Sequence, residues 1–305
     1  MKNPEHSGTP HVSFIVPCYN SRRTIGFTIK AIQKLEFDAP IEVIVVDSSA
    51  KPVADWLSSR FPAVKVLTSP ERMFPGAARN AGAREARGRY LAFIDADAMP
   101  EQYWLDRLHR LTTNDDGIIA CSGAITNANP EQFASRVLHW VEFSSFLRGL
   151  ESGHRPYLSS SNLLISREDF LRTGGFSEDY RMAEDLLFSA KLKEGLHFEG
   201  SVGVSHLHRT RWAGVRKHLR ALGFWSGRLR SGGVLSESWI SRSRGACLLL
   251  PFYRTPAIIF RVFRADRSTG AFALIHAPLI FLALIHWTGG YFLGITEGTV
   301  EEGDR

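Results

Sequence analysis

Two carboxylates one residue apart, Asp95 and Asp97, end the apolar run Tyr90-Leu91-Ala92-Phe93-Ile94. In extended backbone, residues two apart project the same way, so both acids can converge on one hard cation, or on a cation and a hydroxyl group. That geometry suits a divalent metal carrying a diphosphate. A second acidic pair, Glu184-Asp185, opens an apolar-periodic segment that runs through Ala190. Acids in a helix's first turn also complement its dipole, so this pair has a structural reading beside a chemical one.

These acids need elements to aim them. The run from Tyr90 reads as a strand buried on both faces, and open α/β sheets place ligands at the carboxyl ends of such strands. Val12 to Pro17 reads as a first buried strand, Ser21 to Leu35 as a helix with Ile25, Ile29 and Ile32 at helical spacing, and Ile41 to Val46 as a second strand ending in Asp47. The small-residue segment Gly76 to Ala83 predicts a helix lying close to the sheet. Strands alternating with helices over the first hundred residues predict a mostly parallel, doubly wound sheet. Further on, a strand is expected at 118–123, a helix over 130–147, a strand from Asn162 to Ile165, and a helix stop at Gly174-Gly175.

The chain has 305 residues and 44% hydrophobic composition, enough for one large α/β domain with an appendage. Its three cysteines, Cys18, Cys121 and Cys247, are widely spaced and suggest neither zinc nor a disulfide framework. They read as buried thiols in a reducing compartment. Met1 to His11 is polar and has no leader-like apolar core, which predicts an N-terminal domain in the cytosol.

The net charge of +6 is unevenly placed. From His206 to Ser236 there are seven Arg or Lys residues and no acid. Ala246 to Phe263 is apolar but broken by prolines and arginines, which suits a helix in a membrane interface. Ala271 to Ile295 has 25 residues without Asp, Glu, Lys or Arg, enough to cross a bilayer as one helix. The arginines before it and the acidic tail Glu297 to Arg305 put the N-terminal side in the cytoplasm by the positive-inside bias. A nucleic-acid partner is disfavoured, because the basic residues flank a membrane-like segment and lack an aromatic RNA-binding pattern.

Taken together, Ser13 to Asn20, Val45-Val46-Asp47, Ala78-Arg79-Asn80-Ala81-Gly82, Phe93 to Asp97 and Glu184-Asp185 resemble the family 2 glycosyltransferases, which have a GT-A fold. The resemblance covers about residues 11–210 and lies in the order and spacing of five motifs. It implies a Rossmann-like α/β domain and an inverting transfer of a sugar from a nucleoside diphosphate to an acceptor hydroxyl, with Mg²⁺ or Mn²⁺. By the same resemblance Pro17 and Tyr19 line the base pocket, Asp47 binds the base or ribose, Arg79 either approaches the donor nucleotide or braces the sheet through a salt bridge, and Asn162 joins the substrate contacts. Relatives often carry an acid or Asn where this chain has Ser48. Asp97 is the implied direct metal ligand, with Asp95 sharing the metal or holding the ribose, and His206, with His208 behind it, as a further ligand. An inverting mechanism needs a base opposite the leaving group, which points to Asp185, with Glu184 orienting the acceptor or neighbouring groups, or to the same two acids with their duties exchanged. Arg209-Thr210-Arg211-Trp212 is similar to the Arg-Trp end of a motif in processive synthases, without its leading Gln; Arg209 or Arg211 can neutralise the diphosphate and Trp212 can stack on a sugar or anchor at an interface.

The expected architecture is therefore a GT-A domain over 11–210, a basic interfacial region over 211–267 and a transmembrane helix over 271–295. The expected activity is at the cytoplasmic face of the inner or plasma membrane, in cell-envelope polysaccharide synthesis, from a nucleotide-sugar donor to a glycan or lipid-linked acceptor. One rival is a haloacid-dehalogenase-like phosphatase, whose Asp-x-Asp strand normally comes first in the chain; here it is about the third. The other is a membrane-bound sugar-nucleotide binder without turnover.

Overall fold

The computed structural model describes residues 9–231 and 245–301. Parts of the polar start, of the basic stretch and of the acidic tail fall outside those residues. The chain forms two compact units. The first comprises residues 9–123, 153–179 and 184–204, and the second 124–152, 180–183, 205–231 and 245–301.

Four parallel strands build the first unit: β1 (Val12–Cys18), β2 (Ile41–Asp47), β3 (Val64–Thr68) and β4 (Tyr90–Ile94), in the spatial order 3-2-1-4. The apolar runs of β1, β2 and β4 are mostly buried, and helices follow the first three strands: α1 (Ile25–Ile32), α2 (Ala54–Arg60) and α3 (Pro75–Glu85). Register places function. Cys18 pairs with Asp47 across β1 and β2, and Ile15 with Phe93 across β1 and β4, so Tyr19, Asp47 and Asp95 all emerge at the carboxyl edge of the sheet.

Past β4 the sheet becomes antiparallel. Strand β8 (Asn162–Ser166) pairs with β4, with Ile94 opposite Asn162, and β6 (Ala120–Asn127) pairs with β8. Strands β9 (Leu196–His206) and β5 (Ala98–Pro100) complete that order, and the short β7 (Gly153–His154) pairs with β9. Helix α4 (Trp104–Asn114) follows β5, α6 (Arg167–Arg172) follows β8, and α7 (Glu184–Leu192) carries the second acidic pair.

The small residues of α3 do what their bulk predicts. A Cβ added at Gly82 would lie 2.5 Å from Ile15 Cγ2, and one at Gly76 would lie 2.3 Å from the Ser177 carbonyl oxygen. The helix is thus wedged between the sheet and the segment before α7.

The second unit is helical: α5 (Phe133–Phe143), α8 (Trp212–Ser231), a short 3₁₀ turn (Ala246–Leu249), α9 (Leu250–Ala265), α10 (Arg267–Ile275) and α11 (Ala277–Glu301). Its core gathers Trp140, Leu219, Ile258, Leu284, Trp287 and Tyr291. Ala246–Ala265 and Ala277–Glu297 are each long and apolar enough to cross a membrane by length and composition. The single helix expected over 271–295 is divided, because the chain breaks at His276, two residues before Pro278. Proline is tolerated in a helix's first turn but not in its interior, so it marks the start of α11.

Glycines set the contact between α8 and α11. A Cβ at Gly223 would lie 1.9 Å from Trp287 O, and one at Gly227 2.3 Å from Tyr291 O. Reciprocally, Cβ atoms at Gly290 and Gly294 would lie 1.9 and 2.0 Å from the carbonyl oxygens of Arg220 and Phe224. Both helices therefore carry a Gly-x-x-x-Gly face and run side by side in the same direction with backbones almost touching. The expected result for Gly290→Ala is a loss of about 1–3 kcal/mol from overpacking. Gly289, which meets nothing within 4 Å, should gain up to about 1 kcal/mol on the same change. Thermal unfolding of the two variants checks this; equal melting temperatures would contradict the close crossing.

Candidate active site

The centre of the first unit's carboxyl edge is a buried guanidinium. Arg79, on α3 and 2% exposed, donates through one terminal nitrogen to Asp95 Oδ1 at 2.7 Å and through the other to Glu184 Oε1 at 2.5 Å. Burial pulls its pKa down, but the carboxylates of Asp95 and Glu184 more than offset that, so the group stays charged. Its guanidinium carbon also lies 5.4 Å from the Phe176 ring centroid. One cation therefore links the end of β4 to the first turn of α7. Sequence reasoning left Arg79 open between donor contact and internal brace, and the structure shows the brace.

Asn80, the next residue, makes a second clamp that sequence reasoning missed. Its amide donates to Phe176 O at 2.9 Å and to Glu178 Oε1 at 2.9 Å, and its carbonyl accepts from Phe176 N at 3.0 Å. Phe176 in turn packs on Phe93, Phe170 and Phe188, whose rings join β4, α6 and α7. Its place inside the small-residue helix was the available signal, since a polar side chain on a close-packed face must find a partner.

Helix α7 starts abruptly. Ala183 has φ +67°, a left-handed conformation that costs a residue with a Cβ about 1–3 kcal/mol and recurs at functional sites. Glu184 follows, turned inward to Arg79. Asp185 accepts from Leu186 N at 2.9 Å and is raised from an ordinary 3.8 to about 7, first by loss of solvent and then by the neighbouring Glu184 charge. A carboxylate whose folded pKa is raised holds its proton more tightly folded than unfolded. Its stabilising contribution is present below about pH 4 and disappears as pH rises through 7.

Asp97 follows Asp95 by two residues, and both are partly exposed. Asp47 is 1% exposed and accepts from Ser49 N at 3.1 Å and Val53 N at 2.6 Å, bracing the loop into α2. Tyr19 is exposed, with the Arg72 guanidinium 4.2 Å from its ring centroid, and Pro17 is half-buried beside it. Arg72 was not foreseen, because the segment between β3 and α3 has no motif. Cys18 is pushed up to about 12 by burial and by Asp47, and all three cysteines are buried free thiols, as the sequence suggests.

Asn162 needs correction as a substrate contact. It is fully buried, and its side-chain oxygen accepts from Gly123 N at 2.6 Å and from the Trp104 indole at 3.4 Å, joining β8 to β6 and α4. Those contacts hold its side-chain oxygen inside the protein.

In the second unit, His206 ends β9, a strand that begins in the first unit. His208 is buried, with Nε2 3.1 Å from His139 Nδ1, and its backbone is held on both sides by Asn129. Burial, and then the nearby His206, lower it to about 2, so it is an internal neutral residue. Arg209 and Arg211 are exposed between β9 and α8. Trp212 packs at 6.4 Å from Phe133 against the unit's core, which gives its ring a partner within the protein.

Comparison with solved structures places this fold among the GT-A transferases. Mannosyltransferase PcManGT from Pyrobaculum calidifontis, in complex with GDP-Man and Mn²⁺, superposes with a TM-score of 0.62 at 18% identity over 97% of this chain and 89% of its own. S. aureus TarS 1–349 in complex with UDP gives 0.55 at 17% identity over 96% and 92%. Residues 13–173, more than half of the chain, match the profile of Glycosyl transferase family 2, and the chain belongs to that family.

Among curated relatives, the succinoglycan biosynthesis protein ExoO of Rhizobium meliloti is 34% identical over 170 residues, 55% of this chain and 47% of its own. Glycosyltransferase AglE of Haloferax volcanii is 34% identical over 106 residues, 33% of this chain and 35% of its own. The chain thus spans less than half the length of either relative.

Removing Arg79 would leave two facing carboxylates around a buried void. Arg79→Ala is expected to cost about 3–5 kcal/mol, the range for breaking a buried ion pair from one side. Chemical denaturation checks this, and a loss below about 1 kcal/mol would show that solvent already screens the cluster.

Proposed function

We propose that this chain is an inverting glycosyltransferase that moves a sugar from a nucleoside-diphosphate donor, a UDP-sugar in the first instance, to an acceptor hydroxyl. The observation that carries the reading is Arg79, which ties the Asp95 end of β4 to the Glu184-Asp185 turn within one unit. Donor-side and acceptor-side acids thereby share one edge of the sheet.

In the proposed reaction the acceptor hydroxyl lies against Asp185. As its oxygen attacks the anomeric carbon from the face opposite the nucleotide, its proton passes to the Asp185 carboxylate. The new carbon–oxygen bond forms as the bond to the diphosphate breaks, and inversion follows. Glu184, fixed by Arg79, orients the acceptor and raises the basicity of Asp185 by its charge. Tyr19 and Pro17 flank the base, and Asp47 adds a base or ribose contact to its bracing role.

The residues present suit Mg²⁺ or Mn²⁺, because two partly exposed carboxylates two residues apart in the turn after β4 form a hard oxygen donor set. Asp97 would be its main ligand, since Asp95 is already paired with Arg79. When bound, such a cation neutralises charge on the departing diphosphate. The acceptor in this reading is a glycan or lipid-linked glycan at the cytoplasmic face of the inner or plasma membrane. The apolar C-terminal helices and the similarity to a succinoglycan biosynthesis protein support that setting.

UDP release from UDP-sugars, measured with membranes and extracted lipids, tests the reading. Asp185→Asn should cut turnover by about 10²–10⁴-fold, the usual worth of a general base. In the wild type the rate should fall below about pH 7, where Asp185 takes up a proton, and the variant should lose that limb. Asp97→Ala should abolish metal-dependent turnover. Donor binding without turnover in the wild type would instead make this chain a sugar-nucleotide binder.

A further inference from the structure

The outward side of the second unit is apolar where a water-facing helix would be polar. On α9 the exposed apolar residues are Phe252 (66%), Tyr253 (68%), Pro256 and Phe260 (62%), which fall on one face at helical spacing, with the exposed Arg261 and Arg264 following them toward the helix end. The opposite face, Thr255, Ile258, Ile259 and Val262, is buried in the core. Helix α9 is therefore hydrophobic on two sides, which a soluble surface helix is not. The Phe252 ring lies 4.9 Å from Phe281 of α11, so the face continues onto that helix, where Leu282, Ile285 and Leu293 are exposed in a second stripe. Leu274 and Ile275 of α10 are exposed as well. A contiguous apolar surface of this kind needs an occupant.

Charge indicates which. The segment from Ala246 to Ile275 contains Arg254, Arg261, Arg264 and Arg267 against the single acid Asp266. Arg261, Arg264 and Arg267 are exposed beside the aromatic face. An aromatic and aliphatic strip edged by guanidinium groups matches the acyl boundary and anionic headgroups of a lipid bilayer.

The glycine crossing decides how the unit meets that bilayer. Gly290 abuts the backbone of Arg220, so the middle of α11 runs beside Arg216, Lys217 and Arg220 of α8, all three exposed. If α11 crossed the membrane in this arrangement, those cations would be carried to mid-depth, where charge is least tolerated. We infer that the second unit docks in the plane of an anionic membrane surface through α9, α10 and the outer stripe of α11, and that α11 does not span the bilayer. This inference rests on the proposed membrane setting and narrows it.

The test begins with membranes of cells expressing the full chain. Washing at alkaline pH in carbonate should release the protein, and the released chain should float with vesicles of phosphatidylcholine and phosphatidylglycerol but far less with phosphatidylcholine alone. Replacing Phe252, Tyr253 and Phe260 with Ser removes only exposed side chains, so circular dichroism should match wild type while vesicle binding falls by about tenfold or more. Retention in carbonate-washed membranes would overturn in-plane docking while leaving the membrane setting intact. Absence from membranes and from vesicles of either composition would overturn both. Unchanged binding of the triple variant would show that this face is not the docking surface.

Discussion

A positive charge with almost no solvent around it organises this molecule's chemistry. Arg79 sits between Asp95 and Glu184, and a guanidinium in that position is tolerable only while both carboxylates remain in place. The dependence is mutual. Without the cation, the end of β4 and the start of α7 would present like charges to each other, and the first turn of α7 would have no reason to point inward. Asn80 and the rings around Phe176 then hold the same two elements by neutral contacts, so the electrostatic link is made on a packed frame.

The same cluster explains why two adjacent acids differ in character. Glu184 has a cation at hydrogen-bond distance, whereas Asp185 has lost solvent and sits beside a charge of its own sign. Burial and that neighbouring charge raise Asp185 toward neutral pH, which suits the proton-acceptor role proposed for it.

Much of this was legible in the residues. Alternating apolar runs and helical periods gave the parallel strands, and Asp-x-Asp after a doubly buried strand gave the sheet edge, because both signals are local. Asn162 was misread because a polar residue at a strand's start looks the same whether it faces a ligand or the inside of the sheet; only its bonds to Gly123 and Trp104 decide. His208 was left beside His206 as a ligand for the same reason, as its partner His139 is 69 residues away. The glycines of α11 lie in an apolar run that gives them no visible role, because their packing depends on matching glycines in α8. Long-range complementarity of this kind has no signature in either segment alone.

A double-mutant cycle on Arg79→Gln and Glu184→Gln, followed by denaturant unfolding at neutral pH, bears most directly on the central claim that one buried cation binds the two acidic motifs into a single site. The account predicts strong coupling, with the double variant at least about 2 kcal/mol more stable than additivity allows, because each single change strands a charge that the other relieves. Additivity within about 0.5 kcal/mol would contradict it.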